Sequence, residues 1–364
     1  MKILHCISSF LAGGAERQLS YLAPELVHGG HEVHIAYLEG GINLDRVRKN
    51  PVALHQLHHR SPYDPTIFVQ LILCLKKVNP DIVQTWVLPM DVLGGLAALM
   101  LGKPWVLREP NRALAYPNSF RFRSRFWLGR GAAAVAANSQ GGERYWRSLG
   151  FGGKVQVIPN AVPVEEIDGA AASDLSEFGL ASDQKIMVYL GRLYSRAKNL
   201  ENLFYGVLPV VKELPVIALF CGEGPDRPLL EGLVRNHGVA GKIRLPGVIA
   251  NPWSLLKRAE LLVSVSHYEG CPNVVLEAMA CGCPLVASDI PAHREILDEA
   301  SALLVNPQDP AAIAQAIRWT LSAPEAAQQR ATQAREKVAR RSIAAMALRY
   351  EELYQEILNT RGSV

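Results

Sequence analysis

No stretch of this sequence is apolar for long enough to cross a membrane. The longest run near residue 95, Val92 to Leu101, is ten residues and includes two glycines. A spanning helix needs about 18 or more. Cysteine is scarce and scattered: Cys6, Cys74, Cys221, Cys271, Cys281 and Cys283 lie mostly in apolar segments. That excludes a disulfide scaffold and favours buried free thiols in a reducing cytoplasm. Cys281-x-Cys283 lacks zinc-knuckle spacing and has no second pair. His55, His58 and His59 read as a solvated surface group without a carboxylate at ligand spacing, so no metal is assigned. Low-complexity tracts and short-period repeats are absent too.

What is present is ordinary globular composition. Hydrophobic residues make up 49% and charged residues 20%, which excludes a disordered or fibrous chain. The 364 residues exceed one compact domain, and roughly 150 per domain points to two. The opening MKILHCISSFLAGGA has the outline of a secretion signal, but His5 and two serines interrupt it, and a first buried strand is expected instead. Charge is uneven. Residues 1–163 carry 18 Lys and Arg against 10 Asp and Glu, or +8; residues 164–364 carry 20 against 24, or −4. Halves of opposite sign imply different partners.

The first half alternates strand and helix signals. Ile3 to Ile7 reads as a strand, and Ala15 to His28 as a helix with Leu19, Leu22, Ala23 and Leu26 on one face, ended by Gly29-Gly30. His31–Tyr37, Asp81–Thr85, Pro104–Leu107 and Ala132–Ala137 read as further strands, with helices over Pro65–Val78 and Gly94–Leu101. Residues 163–184 are small, acidic and turn-rich, and read as a linker with at most one short helix. The rhythm then restarts at Ile186–Leu190 and ends in two helical stretches, Pro310–Leu321 and Pro324–Leu358. This pattern predicts two α/β domains in tandem, each a parallel sheet with helices on both faces.

Four groups of residues carry candidate chemistry. In Glu269-Gly-Cys-Pro-Asn-Val-Val-Leu-Glu277 a strand-end loop enters a helix near Pro272-Asn273. The N–H groups of Asn273, Val274 and Val275 would face the loop's mouth as a phosphate site. Glu277, in the first turn, would accept from a sugar hydroxyl, and Glu269 would sit across the mouth. The bland reading is a carboxylate that complements the helix dipole, with Glu269 solvated. In Gly191-Arg192 through Lys198-Asn199 a strand ends at a glycine, and Arg192 and Lys198 follow, suited to a pyrophosphate, or the stretch is a solvated basic loop. Gly222-Glu-Gly224 lets the backbone approach a ligand or is an ordinary turn, and lacks the third glycine of a dinucleotide fingerprint. Gly13-Gly14 admits a phosphate or sugar beside Glu16, or is only a turn. Residues 120–130 hold four arginines and four aromatics, which fits an anionic membrane surface or a scaffold helix burying its rings.

Taken together these residues resemble the retaining glycosyltransferases of family 4, over nearly the whole chain. The resemblance runs through Gly13-Gly14-Ala15-Glu16, His31-Glu32-Val33, Pro80-Asp81-Ile82-Val83, Ala137-Asn138-Ser139 and Val157-Ile158-Pro159-Asn160. It continues through Gly191-Arg192 with Lys198, Gly222-x-Gly224, and Glu269-x7-Glu277 into Ala278-Met279-Ala280-Cys281-Gly282. It implies a GT-B fold: two Rossmann-like domains facing a central cleft, residues 1–163 for the acceptor and 185–341 for the donor. A last helix, 342–364, would cross back to the first domain. It also implies a nucleotide-sugar donor, a glycan or lipid-linked acceptor and no required metal or other cofactor. Arg192 and Lys198 would hold the diphosphate, Glu277 the ribose and Glu269 the donor sugar. Gly14, Gly191, Gly222, Gly224, Asn273, Val274 and Val275 would complete the donor site, with Gly13 and Glu16 near acceptor or donor sugar. Two departures stand out. The family's first-domain His is replaced within Arg108-Glu109-Pro110-Asn111, where Glu109 or Asn111 would take over its contact. The Gly-Gly expected after Asp289 is replaced by Ile290-Pro291-Ala292-His293-Arg294.

The expected activity is retaining transfer from a UDP- or GDP-sugar to an acceptor hydroxyl of a cell-envelope glycan, in the cytoplasm or at the inner membrane face, with no nucleic-acid partner. A sugar-nucleotide epimerase of similar fold and a non-catalytic sugar-nucleotide binder are the alternatives.

Overall fold

The computed structural model describes residues 1–11, 13–61, 64–110 and 119–362. The chain divides into two compact units, Met1–Ala161 with Arg341–Val364, and Val162–Arg340.

Unit 1 is built on seven parallel strands: β1 (Lys2–Ser9), β2 (Glu32–Glu39), β3 (Ala53–Gln56), β4 (Ile82–Trp86), β5 (Trp105–Glu109), β6 (Ala134–Ala137) and β7 (Lys154–Val157). Their order is β3-β2-β1-β4-β5-β6-β7, with every neighbouring pair parallel. Side chains alternate faces along a strand. On β1, Ile3 and Ile7 join one core and Leu4 and Cys6 the other, so both faces are buried. That is why the strand reads as an apolar run and not as an alternation. The edge strands β3 and β7 are four residues each and mostly half-buried, which is why neither has a clear sequence signal.

The final helix, Ile343–Gly362, packs in unit 1 against the helix Gly14–His28. Tyr350, Leu353, Tyr354 and Ile357 lie at i, i+3, i+4 and i+7 and are buried. Each contributes roughly 1.5–3 kcal/mol of apolar burial. The Arg108 guanidinium donates to the Tyr350 hydroxyl at 2.5 Å, and Tyr354 donates to Gln84. The stretch expected as one helix from Pro324 breaks after Val338 and restarts at Ile343. Ser342 supplies the new cap, its Oγ accepting from Ala345 N at 3.1 Å.

Unit 2 holds six parallel strands: β8 (Lys185–Leu190), β9 (Val216–Cys221), β10 (Ile243–Gly247), β11 (Leu261–Ser264), β12 (Leu285–Ser288) and β13 (Leu303–Val305). Their order is β10-β9-β8-β11-β12-β13. Residues 164–184, read from sequence as a linker, pack into this unit. A short helix, Val164–Gly169, and a 3-10 turn, Leu175–Phe178, bury Ile167 and Leu175 in its core.

Of the histidines read as a solvated group, His58 is exposed, but His55 and His59 are half-buried. His55 stacks on His34 with ring centroids 5.2 Å apart and shares a 2.9 Å ring hydrogen bond with it. Glu32 holds the other nitrogen of His34, and Glu39 stands 3.5 Å from His59.

His5 is a further buried histidine, its Nδ1 accepting from Trp86 Nε1 at 3.2 Å. Burial pushes its pKa from 6.5 down to about 3. Between those values the unfolded chain binds a proton that the native state does not. Stability therefore falls as pH drops through the unfolded value, by about 1.4 kcal/mol per pH unit, until the folded value is reached. His5→Asn keeps an acceptor for Trp86 and removes the titration. Urea unfolding between about pH 7 and pH 4 should show a slope shallower by one proton. An unchanged slope would mean that His5 is already protonated in the native state.

Candidate active site

In unit 2 the chain crosses over between β8 and β11, adjacent strands that are distant in sequence. Ligands of open α/β sheets bind at the carboxyl ends of strands flanking such a switch point. The loops there are 191–199 after β8 and 265–272 after β11. Three contacts tie them together. Lys198 Nζ donates to Glu269 Oε1 at 2.5 Å, His267 N to Ala197 O at 2.8 Å, and Asn199 Nδ2 to Val265 O at 2.9 Å. Asn199 is buried at φ +56°, a left-handed conformation that asparagine tolerates. Its amide also reaches Pro307 O at 2.7 Å. Sequence reading passed over Asn199, although its place beside Lys198 before a helix marked it.

Glu269 also accepts from Ser266 Oγ at 2.7 Å. Burial alone would push its carboxyl up. The charge and hydrogen bond of Lys198, the Ser266 hydroxyl and the field of His293 outweigh that, and the group lies below the ordinary carboxylate range. Glu269 is therefore an anion held beside a cation, not a solvated carboxylate. Arg192 is exposed on the same loop, its guanidinium 5.7 Å from the Tyr194 ring centroid.

The glycines serve the packing of the loops on one another. A Cβ on Gly222, at φ +137°, would lie 1.9 Å from Gly191 O, and one on Gly224 2.2 Å from Leu193 O. Gly222 N donates to Gly247 O at 2.7 Å. Gly191, Gly222 and Gly224 thus bring the β8 and β9 loops into contact and present Arg192 beside them.

The helix Asn273–Cys281 follows the β11 loop. Two of its three candidate N–H groups are engaged: Asn273 N with Cys271 O and Val275 N with Pro272 O, both at 3.0 Å. Among the described residues, the Val274 N–H finds no acceptor. Glu277 is not in the first turn, where no acidic residue stands. It lies one turn further along and is buried, 5% exposed.

The first-unit candidates are placed differently from their sequence reading. Gly13 caps the helix Gly14–His28, and Glu16 folds back until a Cβ on Gly13 would meet its carboxylate at 2.0 Å. Ser9 Oγ donates to Glu16 at 3.3 Å, and burial pushes the Glu16 carboxyl up. Glu109 faces inward, fully buried. Its Oε2 accepts from Arg125 Nη1 at 2.7 Å and from Trp146 Nε1 at 2.8 Å, so the carboxylate is engaged by the core. Asn111 lies outside the described residues. Arg125, read as part of a basic surface, is also buried, with Nε donating to Asp91 at 2.6 Å and Nη2 to Arg108 O at 3.0 Å. On the same helix, Phe120–Gly129, the exposed residues are Phe120, Arg121, Arg123 and Trp127, followed by Arg130. Phe126 packs against the core.

Among the described residues no group of three or more His, Cys, Asp and Glu could hold a metal ion. No described helix is long and apolar enough to cross a membrane.

Two family models match the chain, Glycosyltransferase Family 4 over residues 12–166 and Glycosyl transferases group 1 over residues 184–323. The chain is 21% identical to the N-acetyl-alpha-D-glucosaminyl L-malate synthase of Bacillus anthracis, over 78% of each chain. It is 24% identical to the lipopolysaccharide core biosynthesis glycosyltransferase LpsE of Rhizobium meliloti, over 76% of each. Several other relatives match over less than half of their own length. Among solved structures, Anabaena Alr3699/HepE in complex with UDP and glucose superimposes with a TM-score of 0.85 at 18% identity. That match covers 98% of this chain and 100% of the other, and shows the shared fold. Two parallel-sheet units, a cation–carboxylate pair at the switch point of the second, and family models that match both halves make this chain a member of the family 4 glycosyltransferases, with the GT-B fold.

Proposed function

We propose that the enzyme transfers a sugar from a UDP- or GDP-sugar to a hydroxyl of a cell-envelope glycan, with retention at the anomeric carbon. The observation that carries the donor side is the Lys198–Glu269 pair at the switch point of unit 2, with Arg192 on the same loop. Arg192 and Lys198 meet the charge that grows on the diphosphate as its bond to the anomeric carbon breaks. Glu269, kept ionised, accepts hydrogen bonds from hydroxyls of the donor sugar. The acceptor oxygen attacks from the face that the diphosphate leaves, and its proton passes to a leaving phosphate oxygen. The envelope acceptor is supported by the similarity to a lipopolysaccharide core glycosyltransferase, and the UDP-sugar by the fold shared with a UDP-bound structure.

The test is a panel of nucleotide sugars with lipid-linked glycan acceptors, read by mass spectrometry and by NMR of the new linkage. A product with inverted configuration rejects retention. Release of a modified sugar without acceptor rejects transfer. In the same assay full activity is expected in excess EDTA, because two side-chain cations stand at the diphosphate site. Activity lost to chelation and restored by magnesium or manganese would contradict this.

The acceptor is reached at the inner membrane face. On the helix Phe120–Gly129, Phe120, Arg123 and Trp127 share one exposed side, continued by Arg130. Aromatic rings beside arginines suit an anionic headgroup layer, each arginine contributing about 1 kcal/mol near the surface. Salt-sensitive binding to vesicles containing anionic lipid is expected. Arg121→Glu, Arg123→Glu and Arg130→Glu together should abolish it. Arg125 is left intact, because it holds the core. Indifference of the wild type to anionic vesicles at low salt would make this helix a scaffold.

A further inference from the structure

Behind Glu269 lies a set of buried polar groups. Ser266 begins the brace, its Oγ donating to Glu269 Oε1 at 2.7 Å. The backbone of Ser266 is tied to the next strand: Ser288, the last residue of β12, donates its Oγ to Ser266 O at 2.8 Å. Behind Ser288 stands His293, with Nδ1 2.8 Å from Ser288 O and 3.1 Å from Ser288 Oγ. Ser266, Ser288 and His293 are 1%, 0% and 0% exposed. A carbonyl oxygen only accepts, so Nδ1 carries the ring proton and donates to Ser288 O. His293 falls in the segment where the resemblance led to an expectation of Gly-Gly. The field of His293 also reaches Glu269 and favours its anion.

We propose that Ser266, Ser288 and His293 are positioning residues that fix the Glu269 carboxylate in the orientation that grips the donor sugar. This rests on the reading of Glu269 given under Proposed function. The physical reason is reach. Lys198 approaches Glu269 from the β8 loop on a flexible stem, so one flexible contact does not set the carboxylate plane. The hydroxyl of Ser266 is short, and its backbone is locked to β12. Lys198 and Ser266 both donate to Oε1; a carboxylate held at one oxygen by two donors is pre-organised, and a displacement near 1 Å at such a group costs up to about 100-fold in rate.

The experiment compares Glu269→Ala, Ser266→Ala, His293→Ala, His293→Asn and the double variant Ser266→Ala/His293→Ala. Readouts are kcat, donor KM, thermal midpoint and binding of the free nucleoside diphosphate, UDP or GDP, whichever the wild type binds. Ser266→Ala and His293→Ala should each lower kcat about tenfold, with nucleoside diphosphate binding unchanged, because that ligand does not touch Glu269. The double variant should be little worse than either single one, because the two act on one carboxylate. His293→Asn should recover most of the rate, its side-chain amide replacing Nδ1–H toward Ser288 O. If His293→Ala does not fold, Ser288→Ala takes its place. Wild-type kcat in Ser266→Ala beside a dead Glu269→Ala overturns the brace alone. Losses in kcat matched by equal losses in nucleoside diphosphate binding also overturn it, since they mark a purely structural role. Near-normal turnover in Glu269→Ala overturns the site reading, and this inference with it.

Discussion

Arg192→Ala and Lys198→Ala should each lower turnover on the order of 100-fold or more, because both cations act where charge develops on the leaving diphosphate. Their effects on the free protein should differ. Arg192 is exposed, with its guanidinium over the face of Tyr194, so its loss should shift stability by no more than about 0.5 kcal/mol. Lys198 is the partner of an ionised Glu269. Without it, burial is opposed by the Ser266 bond and the field of His293, and the pKa of the carboxyl should rise. A carboxyl with a depressed folded pKa contributes stability above its unfolded value and loses it as pH falls. Lys198→Ala should therefore be less stable than the wild type at neutral pH, and should lose less further stability on acidification, because its Glu269 carboxyl no longer has so depressed a pKa to give up. Turnover, thermal midpoint and the pH dependence of unfolding check all three points. A folded double variant with near-normal turnover would remove both residues from the mechanism.

The largest expected loss of stability is at Arg125. Its guanidinium is 4% exposed and holds two fully buried carboxylates, Asp91 at 2.6 Å and Glu109 at 2.7 Å. Burial already pushes the Asp91 carboxyl up, Arg125 pulls it back, and Glu109 adds to the rise. Arg125→Ala leaves both carboxylates without their cation in a dry core. Breaking a buried pair in this way costs about 3–5 kcal/mol, a large share of the 5–15 kcal/mol of a typical domain. Arg125→Glu should not fold. Arg125→Lys keeps charge but not the fork, and should fall between. Arg121→Ala and Arg123→Ala, exposed on the same helix, should stay within about 0.5 kcal/mol of wild type. Urea unfolding followed by tryptophan fluorescence measures the series. Equal midpoints for Arg125→Ala and Arg123→Ala would show that the buried cluster contributes no net stability.

The contrast between Arg123 and Arg125 marks where sequence reading stops. Four arginines among aromatics in residues 120–130 describe a basic segment, but not which of them turns inward. Inward facing was decided by the carboxylates of Asp91 and Glu109, 34 and 16 residues away along the chain. Glu109 was misread for the same reason. As the last residue of β5 it lies where a strand enters a loop, and only Arg125 and Trp146 show that it points into the core. The helix after the β11 loop was legible from Pro272 onward. Counted from its first residue, Asn273, Glu277 is the fifth residue of the helix and so lies beyond its first turn.

By itself the sequence determined the parallel α/β class of both halves, most central strands to within a residue or two, and the loops that carry Arg192, Lys198 and Glu269. Apolar runs, helical periodicity and glycine turns are local properties, and burial on both faces of a parallel strand imprints them directly. Only the tertiary structure decided that Lys198 and Glu269, 71 residues apart, share a hydrogen bond. It also decided that Gly222 and Gly224 make room for neighbouring loops, and that His293 stands behind the site. Each of these is a meeting of distant segments. Which partners meet is set by strand order and crossover, and those depend on the free energy of the whole packed sheet rather than on any one stretch of chain.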